Sequence, residues 1–557
     1  MKHFFTTIIS VFALVSAQAQ GNNDALIFEA MQIEMERSMN ELRIPNMPAP
    51  FFINYIISEG EMINITASLG SIVVSNHRPK VRSIFANIMT ESNELTNDAL
   101  LTNQTGISSS LTIGNDLNQI RRGIWRVSDA NYKSGLEMLT NKRNELRRVT
   151  LPEAEAALLD FHSAEPVEVL IPSNFTKNIN QAELNALCER LSLVFLEFPN
   201  LYGTNVTFSA AQSVFYTMTS EGTRTRQPLS QVQLRANARV RADDGAVLTD
   251  FVEIVAGDLS LLPTEEELRA AISEFASNLQ ALANAPLVTD FYNGPVLFED
   301  EALVPIFFQL LMPQSLIAHR RPVTGQQSAI RNLPIGRRLL DPRFTVINHT
   351  QKTEFNGIPL VGAYSVDAEG IVPEPSLVLV ENGIIRNYLN SRVPTEFAAL
   401  SNGNNRIGVT PDFIITDVRP SVLEVQATNG VSRQELRQKL IDSAKDEGLT
   451  YAYIVRKTSG APRIYQIDVE TGAETLMRSP NIETIGVRQL RRVDAVASDI
   501  MVANRVSFNT AHQWERRAAF PVSFIIPGAL LFQDVEIRAS TVTLETKPAV
   551  VNPLLRN

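Results

Sequence analysis

The chain changes character at Asn293-Gly294-Pro295, and any fold proposed for it must join two unlike parts. Before this point helix-like and strand-like stretches alternate. After it, β segments with turn signals are interrupted by one capped helix, from Ser432 to about Glu447. Two hairpins are well marked in this second part. The stretch 377–389, LVLVENGIIRNYL, turns at Asn382-Gly383, and 463–477, RIYQIDVETGAETLM, turns at Thr471-Gly472. The expected fold class is α+β, with mixed α/β N-terminal domains followed by a large β-rich C-terminal domain. The boundaries read as 20–123 and 124–290 for the N-terminal pair, 291–545 for the β-rich domain and 546–557 for a tail.

Within the first part, Asp24 to Leu42 predicts a helix, with Leu26, Ile27, Ala30, Met31, Met35, Met39 and Leu42 on one stripe. Pro45, Pro48 and Pro50 stop it. Three strand-like runs follow, at 51–58, 62–75 and 81–89, separated or bent by Gly60, Gly70 and His77-Arg78-Pro79. A second helix is expected from a Ser128 cap to about Arg148, with Lys133, Lys142, Arg143, Arg147 and Arg148 on a solvated polar face. Thr264 and Glu267 form a capping box that opens a helix to about Ala283.

The chain has 557 residues, enough for two to four domains at about 150 residues each. Its formal charge of −10 argues against a partner bound through a phosphate backbone, so no nucleic acid is expected. The single cysteine, Cys188, can form no intramolecular disulfide and no cysteine-rich zinc site. It falls on the apolar stripe of a helix that starts at Asn180, where a core thiol is the expected role. Met1-Lys2-His3, the apolar stretch to Ser16 and Ala17-Gln18-Ala19 together read as a secretory signal peptide, 1–19. Export, and a periplasmic or extracellular location, follow from it. No later stretch is apolar enough for a membrane span, which needs about 20 residues.

YNGPVLFEDEAL at 292–303, GAYSVDAEGIVPEPSLVLVENGIIRNYLNSR at 362–392 and SNGNNR at 401–406 together resemble the TldD/PmbA family. TSEGT at 219–223 and FIIPGALLFQDVEIR at 524–538 fit the same family in the same order, so the resemblance spans nearly all of the chain after the signal. It implies the two-part α+β fold already inferred. TldD-like members carry an HExxxH zinc motif and a C-terminal cysteine, and are metallopeptidases. TldE (PmbA)-like members lack the motif and pair with a TldD-like chain. Here the motif's place falls near Phe307, Phe308 and Met312, no HExxxH occurs anywhere, and the C-terminal domain has no cysteine. No zinc or other cofactor is therefore expected in this chain. The resemblance is closer to the zinc-less TldE type, implying a homo- or heterodimer with a TldD/PmbA-like chain and a part in peptide proteolysis.

Two further readings remain open. An active hydrolase would have to use other groups, of which His349, Asp367 and Glu369 are the candidates. A plain peptide- or glycan-binding protein would need only a groove or an exposed β edge. The resemblance puts the DxEG element, Asp367, Glu369 and Gly370, near a substrate cleft; a simple turn before Pro373 is the alternative. Asn402, Asn404 and Arg406 are candidates for holding a peptide carboxylate, or form an ordinary polar turn. The acidic trio Glu299, Asp300 and Glu301 suits acid–base work, Ca²⁺ binding or a solvated helix start.

Overall fold

The computed structural model describes residues 23–98, 106–173, 175, 178–308, 310, 316–320, 332–508, 519–541, 544–546, 550 and 553. The expected signal peptide, Met312, and most of the expected tail lie outside them.

Two long hairpins build the N-terminal sheet. Pro50–Ser68 pairs with Ser71–Thr90, Tyr202–Thr219 pairs with Arg224–Arg241, and the two hairpins join edge to edge through Pro50–Ser68 and Tyr202–Thr219. Ile107–Ser110 and Glu168–Leu170 close the two ends, and Val247–Ala256 pairs alongside Arg224–Arg241. The sequence predicts three strands between 51 and 89; the structure has two, divided at the Leu69-Gly70 turn, because neither Gly60 nor the His77-Arg78-Pro79 step ends a strand. A Cβ on Gly60 would lie 2.4 Å from the carbonyl oxygen of Gln212, so the glycine admits the neighbouring strand rather than a turn. Pro79 falls in the register shift between the Gly60↔Val81 and Met62↔Arg78 pairs, a bulge where its missing N–H breaks no ladder bond.

Alternation along these strands gives the sheet two covered faces. On one, Ile53 and Ile84 pack against Ile27, Met31 and Ile124 of the helices at 23–41 and Leu117–Leu146. Further along the same face, Ile63, Phe208 and Val232 meet Cys188, Leu191 and Phe275 of Gln181–Ser192 and Glu265–Ala283. The opposite face, at Ile56, Phe85 and Phe215, is covered by Ala368, Ile407 and Ile414 from the C-terminal part.

The helix Leu117–Leu146 starts well before the expected Ser128. Asp116 is its cap, accepting from Gln119 N. Ser128 instead lies buried in mid-helix, its Oγ donating back to Ile124 O at 2.9 Å and lying 2.6 Å from Tyr55 Oη. Lys142 is not on the solvated face either. It is 1% exposed, and its Nζ donates to Thr96 O, Asp98 O and the Asp160 carboxylate. The boundary expected at 123/124 falls inside this helix, and strands from both sides of it share one sheet. The structure thus joins in one layer what the sequence reading divided.

The C-terminal part is two sheets over one core. One sheet runs in the order Ile384–Ile385, Ser376–Glu381, Phe344–His349, Val422–Ala427, Ala519–Pro527, Ile500–Phe508. The other runs Glu474–Met477, Arg463–Asp468, Tyr451–Lys457, Tyr292–Glu299, Ala529–Ala539, Pro480–Ile482, with Ala495–Val496 also on Ala529–Ala539. Phe344, Val346 and Phe524 of the first meet Val296, Phe298 and Leu530 of the second, with the short helix Leu303–Phe308 between. Both expected hairpins form, at Asn382-Gly383 and Thr471-Gly472. The helix Arg433–Asp446, opened by the Ser432/Glu435 capping box, covers the outside of the second sheet through Leu436 and Leu440.

Candidate functional site

The loops that carry the family-like stretches lie where the two parts meet. Asn54 Nδ2 donates to Ala368 O at 2.9 Å, and Gln227 Nε2 to Val366 O at 2.7 Å. Ser58 and Ser83 both donate to Pro411 O, at 2.8 Å each. Between these ties Asp367 to Gly370 forms a tight turn. Asp367 Oδ1 accepts from Glu369 N and Ile371 N, both at 2.9 Å, and its Oδ2 accepts from Asn405 N at 3.2 Å. Gly370 has φ +79°, and a Cβ there would meet Thr223 Cγ2 at 2.5 Å, so the turn needs glycine on both counts.

Glu369 Oε2 accepts from Arg392 N at 2.8 Å. The buried Arg392 guanidinium reaches Glu221 Oε1 and His162 O, at 2.7 Å each, and stacks over Phe52 and Phe161. Burial, and then the nearby Glu369 carboxylate, raise the Asp367 carboxyl well above its usual range, against its three backbone donors. Burial also raises Glu369, opposed by Arg392.

The remaining predicted residues join this junction through its backbone. Asn402 Oδ1 accepts from Asn390 N at 2.9 Å, and its Nδ2 donates to Tyr388 O at 2.6 Å. Asn404 Oδ1 accepts from Asn348 Nδ2 at 2.9 Å. Arg406 is 4% exposed, donates to Pro521 O at 2.7 Å and also to Pro420 O, and burial pushes its guanidinium down to about 10. Asp367, Glu369, Gly370, Asn402, Asn404 and Arg406 are thus brought into one layer, with these polar atoms engaged inside the chain.

His349 is not among them. Successive residues of a strand point to opposite sides. Asn348 points to Asn404 and the junction, whereas His349 lies on the other face, with Ser376 Oγ at 2.7 Å and Glu424 Oε2 at 2.8 Å. The sequence reading missed Ser376 and Glu424, which come from neighbouring strands 27 and 75 positions away. The hairpin at Asn382-Gly383 marks the strand that carries Ser376, but its register pairs that strand with Ile384–Ile385 and gives no sign of the Ser376↔His349 pairing. The acidic trio is engaged by arginines: Glu299 by Arg456 at 3.0 Å, Asp300 by Arg433 at 2.7 Å, and Glu301 by Arg505 at 3.5 Å.

Beside the junction a groove of about 460 Å³ opens over the N-terminal sheet. The side chains of Asn64, Asn76, Gln231 and Gln233 line it, with Val409, Thr410 and Asp412 along one wall. Each carboxamide offers both donors and an acceptor, the complement of a peptide backbone. Gln231 Oε1 is buried there without a hydrogen-bond partner among the described residues.

The positions where the resemblance would place zinc ligands do not fit the metal. Phe307 is fully buried with its ring 6.3 Å from that of Phe344, and the Phe308 ring lies 6.2 Å from that of Phe524. Neither offers a lone pair where imidazole or thiolate is needed. Cys188 packs against the N-terminal sheet instead, and burial pushes its thiol up to about 12. Among the described residues, no three His, Cys, Asp or Glu side chains stand close enough together to hold a metal ion.

A helix-backed sheet joined by buried loops to a two-sheet β domain is the architecture of the TldD/TldE/PmbA proteins, and the chain has their fold. TldE from Thermococcus kodakarensis superposes with a TM-score of 0.55 at 11% identity, over 92% of this chain and 100% of that one. A Thermotoga maritima protein described as a proposed modulator of DNA gyrase gives 0.56 at 12% identity, over 87% and 96%. A Bacteroides thetaiotaomicron protein of the same description gives 0.53 at 12%, over 92% and 98%. Neither a protein-family model nor a curated protein matches the chain. No helix among the described residues is long and apolar enough to cross a membrane.

Proposed function

We propose that this chain is an exported, TldE-like subunit that lacks zinc chemistry of its own and helps a TldD-like chain, or a second copy of itself, to hold peptides for proteolysis. The observation that carries the reading is the pair of aromatic rings at the positions where the resemblance places the zinc motif, Phe307 fully buried and Phe308 partly buried against the same core. The amide-lined groove beside the junction is the proposed peptide surface. Asp367, Glu369, Gly370, Asn402, Asn404 and Arg406 hold the loop wall beside it, and export rests on the signal peptide read at 1–19.

The test combines metal content of the purified mature chain with peptide cleavage, with and without chelator, alone and mixed with a TldD-like chain. The expected result is no bound metal and no cleavage alone, with a mixed complex and altered cleavage in its presence. Stoichiometric zinc with chelator-sensitive cleavage by the isolated chain would overturn the reading.

A further inference from the structure

The outer face of the sheet that contains His349 carries a second arrangement, independent of the zinc positions and of the junction. Ser376 and His349 are directly paired on adjacent antiparallel strands, so their side chains rise from the same face. On the other side, Val422 is paired with His349, and Glu424 lies two residues further along that face. Three strands therefore align a hydroxyl, an imidazole and a carboxylate. Ser376 Oγ lies 2.7 Å from His349 Nδ1, and His349 Nε2 lies 2.8 Å from Glu424 Oε2.

The chemistry of the partners assigns the protons. An ionised carboxylate only accepts, so Nε2 carries the ring hydrogen toward Glu424. In the neutral ring Nδ1 is then the acceptor, and the Ser376 hydroxyl donates to it. Glu424 is itself fixed, by Lys352 Nζ at 2.7 Å and by Gln426 Nε2, which reaches its other oxygen at 2.8 Å. The imidazole is mostly covered, its side chain 14% exposed, while Ser376 is exposed. The base is held and the nucleophile is open to an incoming molecule. Relative to the serine-protease triad the two ring nitrogens are exchanged. Proton transfer tolerates this, since either nitrogen accepts when the other bears the hydrogen.

We propose that Ser376, His349 and Glu424 form a nucleophilic triad that hydrolyses small carboxylic esters. An ester suits an open site, because its alcohol departs more readily than a peptide amine. Ser376 Oγ attacks the ester carbonyl carbon while its proton passes to His349 Nδ1. The bond to the alcohol oxygen breaks as that proton moves to the departing oxygen. Water then loses a proton to the same nitrogen and attacks the acyl-serine. The carboxylic acid leaves, and the proton returns to Ser376 Oγ. The sum is ester plus water giving acid plus alcohol, with no change in oxidation state. Glu424 holds the ring in its tautomer and stabilises the imidazolium that forms.

The test treats the full mature chain with p-nitrophenyl acetate, and separately with a fluorophosphonate whose adducts are mapped by mass spectrometry. The expected results are nitrophenol release and a phosphonate on Ser376. Ser376→Ala, an exposed substitution that leaves the core intact, loses both. His349→Gln slows labelling of Ser376 by roughly a hundredfold or more, the scale of general base catalysis. Glu424→Gln slows it while the folded chain persists by circular dichroism. Unchanged nitrophenol release in Ser376→Ala would overturn the proposal. So would labelling of Ser376 no faster than that of other exposed serines.

Discussion

Asn54 and Ala368 lie 314 positions apart, yet the Asn54 carboxamide donates to the Ala368 carbonyl at 2.9 Å in a fully buried contact. That bond ties the strand Pro50–Ser68, on the face of the N-terminal sheet that meets the C-terminal part, to the Asp367–Gly370 turn. Replacing Asn54 by Ala leaves a buried carbonyl without its donor. The expected cost is about 1–2 kcal/mol, read from the midpoint of urea unfolding. A midpoint unchanged from wild type would show that the contact does not hold the two parts together.

A charged pair makes the second tie. Lys457 Nζ donates to Asp250 Oδ1 and to Phe251 O, both at 2.7 Å, and both side chains are buried. Burial raises the Asp250 carboxyl and Lys457 opposes that shift. Lys457→Met strands the carboxylate, with an expected loss of about 3–5 kcal/mol. Adding Asp250→Asn removes the stranded charge, so the double variant should recover part of the loss. A double variant no more stable than Lys457→Met would sink the account.

Glu424 gives a pH signature. Its carboxyl is held down at about 2, first by the His349 hydrogen bond and then by Lys352 and Gln426, against an ordinary 4.5. A folded value below the unfolded one means stability present above pH 4.5 and lost as pH falls toward 2. The unfolded chain binds its proton first. Wild type should therefore lose about 2 kcal/mol more across that range than Glu424→Gln. Parallel pH profiles of the two proteins would refute the assignment.

The sequence disclosed features that local chemistry controls. The capping residues Thr264 and Ser432, and the turns at Asn382-Gly383 and Thr471-Gly472, appear where short-range rules put them. Features decided across the sheet were hidden. Gly60 reads as a break until Gln212 is seen passing over it. Ser128 reads as a cap until Tyr55 reaches it, and Lys142 reads as solvated until Asp160 closes over it. His349 was visible as a candidate, but its partners depend on the register of three strands. The Asp367–Gly370 motif was visible as well, while its place against the N-terminal sheet depends on contacts over 300 positions away.

Cys188 offers a test of the N-terminal core that needs no substitution. It is fully buried between its helix and the sheet, and burial pushes its thiol up to about 12. The reactive species is the thiolate. At pH 8 its fraction should be on the order of a thousandfold below that of an ordinary cysteine, before burial further blocks access. The native chain should thus release no thionitrobenzoate from Ellman's reagent over minutes, and one equivalent at once in guanidinium. A raised folded value also means that the unfolded thiol ionises first. Stability should then fall as pH rises from 9 toward 12, with a smaller fall in Cys188→Ala. Rapid titration of one thiol in native buffer would show that the helix Gln181–Ser192 does not seal this core as described.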